Sequence, residues 1–101
     1  MHKLIKDGKV AVLISPGYGA GWSTWNLDIP EILFDAEIAD FILEGKVDEA
    51  KELAESKYPD AYLGGIEGLM VVWLPIGAQF SIDEYDGSES LIRREDLTFI
   101  A

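Results

Sequence analysis

"VAVLISPGYGAGWSTWN", residues 10–26, decides how this chain is to be read. Its first part, Val10–Ile14, is a β-branched apolar run stopped by Ser15-Pro16-Gly17. Such residues suit a pleated, packed surface, and an apolar run without polar alternation reads as a strand buried on both faces. The second part sets Gly17, Gly19 and Gly21 among Tyr18, Trp22 and Trp25. These glycines can take positive φ and turn backbone N–H groups toward an anion or a base edge. The aromatic rings offer flat faces for stacking, and Ser15, Ser23, Thr24 and Asn26 offer hydrogen bonds. These are the residue types of a small-ligand pocket. The same residues equally describe a plug, with Trp22 and Trp25 covering the open end of a sheet and the glycines permitting close approach. Both readings stand at this point.

Neither nucleotide fingerprint is met. A Walker loop needs a Lys after its last glycine, and the dinucleotide pattern would need its third glycine where Trp22 stands. Arg93 and Arg94 are the only adjacent basic pair. They either clamp phosphate groups over a neighbouring hairpin or pair with Glu95–Asp96. The candidate ligand-binding set is therefore Ser15, Gly17, Tyr18, Gly19, Gly21, Trp22, Ser23, Thr24, Trp25 and Asn26, with Arg93 and Arg94.

After the loop, "NLDIPE" reads as a helix start, with Asp28 as N-cap, Pro30 in the first turn and Glu31 three after the cap. The helix that follows is apolar round most of its circumference, as a helix sandwiched between layers or at a subunit interface would be. Gly45 stops it. "VDEAKELAESKYP" is a second, amphipathic helix ended by Pro59. "AYLGGIEG" is a glycine-rich link with room for a short strand, and "LMVVWLP" is the strongest strand signal in the chain. "AQFSIDEYDGSESLIRR" reads as a hairpin about Asp86–Gly87. That register sets Glu84 opposite Glu89, a destabilising like-charge pair, so either the register differs or a cation or basic group sits there. "LTFIA" makes a final strand or a docked C-terminal extension. The expected fold is a small single α+β domain spanning 1–101. Two helices lie on one face of a mostly antiparallel sheet, in the order β–α–α–β–β–β.

The chain carries 19 acidic against 8 basic residues, a formal charge of −11 over 101 residues. Such a surface repels nucleic-acid backbones and anionic membranes, which argues against direct DNA or RNA binding. Val10–Ile14 is too short to span a bilayer, so no membrane partner is expected. There is no cysteine, and His2 is the sole histidine. A Ser or Thr nucleophile therefore lacks a general base, and a transition metal lacks ligands. No catalytic residue, metal ligand or cofactor is assigned. "IDEYDGSES" fails as a calcium loop, because Ile82 and Arg93 would fall at the two anchoring acid positions. The pairs Glu31/Asp35, Glu37/Asp40 and Asp40/Glu44 share helical faces, and such acids usually form solvated surface.

Taken together, "VAVLISPGYGAGWSTWN", "ILFDAEI" and "YPDAYLGGIEGLMVVWLPIGAQFSIDEYDGSES" resemble a family of short accessory proteins encoded by tailed bacteriophages. The resemblance covers most of the chain and transfers no residue roles. It implies an accessory protein in the cytoplasm of an infected bacterium, blunting host defence by trapping a nucleotide signal or occupying a host protein. The leading expectation is a non-enzymatic protein that holds a small nucleotide-like ligand in the 15–26 loop, within a homo-oligomer. The alternative is an acidic protein that inhibits a host nucleic-acid-binding or defence protein. Its twelve acids between Asp28 and Glu67 would mimic a phosphate array. A magnesium-dependent carboxylate hydrolase of a nucleotide signal is third.

Overall fold

A computed structural model describes residues 3–92 and 99–101. The chain opens with β1 (Ile5–Lys6) and β2 (Lys9–Ile14). It continues through the loop to a 3₁₀ turn at Pro30–Phe34 and the helices α1 (Ala36–Leu43) and α2 (Val47–Lys57). After a second 3₁₀ turn at Ile66–Gly68 come β3 (Met70–Pro75), β4 (Gln79–Tyr85), β5 (Ser88–Ile92) and β6 (Phe99–Ile100). Two helices and antiparallel strands make this an α+β fold.

β2 lies at the centre, between β1 and β3. Side chains alternate across a strand. Ala11 and Leu13 accordingly join Trp22, Ile32, Ile38, Ala39, Ala50 and Ala54 in one core. Val10, Val12 and Ile14 meet Leu33, Phe34, Leu74 and Phe80 in another. The apolar run is thus buried on both faces, with helices on one side and the sheet β5-β4-β6 on the other.

Four local features depart from the sequence reading. There are two three-stranded sheets where one was expected, because the chain turns at Ile76–Gly77, with Gly77 at φ +87, and leaves the first layer after Pro75. A two-residue hairpin about Asp7–Gly8 adds β1. The link after Tyr62 forms a 3₁₀ turn rather than a strand. Finally, α1 starts eight residues after Asp28, and its cap is Asp35, which accepts from the Ile38 amide at 2.9 Å.

Asp35 does more than cap. Its other oxygen accepts from Lys57 Nζ at 2.7 Å and from the Tyr58 hydroxyl, both at the end of α2. Burial alone would raise its carboxyl, but the hydrogen bonds from Lys57, Tyr58 and the Ile38 amide outweigh that and hold it below the ordinary carboxylate value. The Tyr58 hydroxyl is pushed up, first by burial and then by its bond to Asp35. This buried carboxylate ties the start of one helix to the end of the other. The exposed acids Asp40, Glu44, Asp48 and Glu52 face solvent.

Candidate functional site

The loop from Ser15 to Asn26 closes over a carboxylate from elsewhere in the chain. Glu89, on β5, is 2% exposed. One of its oxygens accepts from the Ser15 amide at 3.0 Å and the Ser15 hydroxyl at 3.3 Å. The other accepts from the Ser23 amide at 3.0 Å, the Thr24 amide at 2.9 Å and the Thr24 hydroxyl at 2.8 Å. The backbone N–H groups on this carboxylate come from Ser15, Ser23 and Thr24, while those of Gly19 and Gly21 are taken by the hairpin carbonyls of Asp86 and Gly87. The anion held by the loop is the protein's own Glu89. A buried carboxylate is tolerable only when its oxygens are so satisfied, and charge-assisted bonds of this kind are the stronger class.

The expected Glu84–Glu89 register is present. The two carboxylates turn to different donors. The Glu89 oxygens are occupied by loop donors, while Glu84 accepts from the Gly87 amide at 2.7 Å and the Trp25 indole at 3.4 Å. The hairpin also holds the loop through its backbone. Gly19 N–H donates to Asp86 O, Gly21 N–H to Gly87 O and Glu89 N–H to Ser15 O. Ser88 adds a hydroxyl bond to Pro16 O.

The remaining candidates divide by burial. Trp22 is fully buried, and its indole donates to Ile32 O at 3.0 Å, so it is core. Asn26 is buried too. Its amide group donates to Trp22 O and Tyr62 O and accepts from Tyr62 N–H. Gly19 and Gly21 take positive φ, while Gly17 does not. A Cβ on Gly21 would sit 2.3 Å from the Trp25 ring, so the close approach there requires glycine. Arg93 and Arg94 lie outside the described residues.

What faces solvent is aromatic. Tyr18 and Tyr85 are 78% and 72% exposed and meet edge-to-face with centroids 6.4 Å apart. Trp25 and Tyr62, each 44% exposed, lie 5.1 Å apart, and Tyr62 donates its hydroxyl to Gly19 O. Tyr62, Tyr85, Glu84 and Glu89 join the site from outside the 15–26 loop. The one available signal was the opposed Glu84–Glu89 pair, whose second member proves to be the loop's anchor.

Of the acids on shared helical faces, Asp35 and Glu37 both accept from Lys57 Nζ. Asp35 is committed to Lys57, Tyr58 and its own helix. No group of three or more His, Asp or Glu among the described residues could hold a metal ion. A cavity of about 300 Å³ lies at the other end of β2, lined by Lys6, Asp7, Lys9 and Trp73. No described helix is long and apolar enough to cross a membrane. Neither a protein-family profile, a characterised protein nor a solved structure matches this chain.

Proposed function

We propose that this protein is a non-catalytic binding module whose loop–hairpin face captures a basic surface on another protein. The observation that carries the reading is the occupation of the loop's inward donors by Glu89. With those donors committed, the loop offers little to a phosphate. It offers Tyr18, Trp25, Tyr62 and Tyr85 instead, beside the exposed carboxylates of Glu84 and Asp86. Aromatic faces next to carboxylates suit a guanidinium or ammonium group through cation–π attraction and ion pairing. The exposed acids Asp40, Glu44, Asp48 and Glu52 would extend the attraction and steer association at low salt. A phage accessory protein that occupies a host defence factor, in the bacterial cytoplasm, is the setting in which we place this activity. The nucleotide-like ligand retains the stacking surface of Trp25 and Tyr62 but loses the backbone cradle, and it ranks second.

Titration with Arg-rich and Lys-rich peptides, followed through the fluorescence of Trp25, tests the proposal. Affinity is expected to fall steeply with salt, and at least tenfold in the Tyr18→Ala/Tyr85→Ala double variant, about 1.4 kcal/mol. These two rings are exposed, so the variant keeps its fold. An affinity indifferent to both salt and the tyrosines would reject the face, and saturable binding of a nucleoside monophosphate instead would restore the ligand reading.

A further inference from the structure

Among the described residues the outer edge of β3 pairs with no other strand, and its hydrogen-bonding pattern follows from the hairpin beside it. Ala11 donates its N–H to Leu4 O, on the β1 side. In an antiparallel strand the N–H and C=O of one residue share an edge, and successive residues alternate edges. Lys9, Ala11 and Leu13 therefore address β1, while Val10, Val12 and Ile14 address β3. Their register partners Leu74, Val72 and Met70 answer them. Val71 and Trp73 consequently direct their N–H and C=O groups away from β2. Among the described residues no strand pairs with that edge, and outside the β2–β3 ladder neither amide bonds to a described residue.

We infer that a second copy of this chain pairs antiparallel with β3, about a two-fold axis at Val72. In that register Val71 of one copy exchanges both backbone hydrogen bonds with Trp73 of the other, and the reverse pair repeats it. The open set is self-complementary and bounded. Pro75, next in the series, has no N–H to offer, and at the other end the Leu69 amide turns back to Ile66 O. Each copy has one such edge, so the pairing closes at two.

Charge favours a copy at this place. A chain with a net charge of −11 repels itself over most of its surface, yet residues 68–82 contain no ionisable side chain. Natural edge strands are usually blunted by Lys or other charges. This one carries none, and Met70 at its start and Ile76 just past its end are 44% and 57% exposed.

Sedimentation velocity from micromolar to near-millimolar concentration should show a reversible dimer. Amide hydrogen exchange at Val71 and Trp73 should slow as the dimer forms, while exchange within the β2–β3 ladder stays constant. Val71→Pro deletes one outward N–H and leaves the ladder with β2 intact, so it should give a folded monomer. Should that variant fail to fold, exchange on the unaltered chain decides alone. A wild type that stays monomeric throughout overturns the inference. So does a dimer in which the Val71 and Trp73 amides exchange freely, or a monomer in which they become protected only when a different protein is added.

Discussion

Two hairpins in this molecule turn on the same dipeptide, Asp-Gly, and each sets like charges opposite one another. At Asp7–Gly8 the facing pair is Lys6 and Lys9; at Asp86–Gly87 it is Glu84 and Glu89. In both, the Asp and the Gly take positive φ, as the favoured tight turn demands. Their surroundings differ. The first hairpin is exposed at the tip, and a Cβ on Gly8 would meet nothing within 4 Å. The second is pressed against the aromatic loop, and a Cβ on Gly87 would lie 2.8 Å from the backbone of Gly19 and Ala20. Local turn chemistry is identical; tertiary contact makes one a surface feature and the other the anchor of the candidate site.

The largest effect is expected at Glu89. Glu89→Ala leaves the amides of Ser15, Ser23 and Thr24 without their acceptor, and should cost about 3–5 kcal/mol in urea unfolding, since several buried donors are stranded at once. A loss below about 1 kcal/mol would mean that water replaces the carboxylate without difficulty. Next come the two glycines. Gly87→Ala meets both positive φ and the backbone of the loop, and should cost roughly 2–4 kcal/mol. Gly8→Ala meets only the conformational penalty, about 1–2 kcal/mol. Equal losses at the two sites would remove the distinction between them.

The pH dependence sharpens the contrast between solvated and buried acids. Asp35 titrates below its ordinary value in the folded protein. Its contribution is therefore present above that ordinary value, and is lost as pH falls through the folded value. The urea midpoint of the wild type should drop steeply on acidification below about pH 4, with Asp35→Asn lowering stability at pH 7 but flattening this acid limb. An unchanged limb in the variant would assign the loss to other carboxylates. The smallest effect belongs to the exposed lysine pair. Lys6→Glu turns a like-charge pair into an opposite one and should stabilise by about 0.5 kcal/mol at low salt, vanishing at high salt.

Much of the fold was legible because it rests on local patterns. The apolar run at Val10–Ile14, the amphipathic helix before Pro59 and the Asp86–Gly87 turn each signal themselves through neighbours a few residues away. The Asp7–Gly8 turn carries the same dipeptide, but its strands are too short and too charged to show an apolar alternation. Asp28 looked like a cap by spacing. Asp35 became the cap because its carboxylate also finds Lys57 and Tyr58, more than twenty residues away.

The site was legible as an inventory and not as an arrangement. Composition alone established a strongly acidic chain without cysteine, and placed glycines, hydroxyls and aromatic rings in one loop. Only the tertiary structure decided that Glu89 would fill the loop, that Trp22 would be buried and that Trp25 would face solvent beside Tyr62. The physical reason is range. Backbone preference and periodicity act over a few residues, whereas a carboxylate becomes a buried acceptor only when donors some seventy positions distant fold around it.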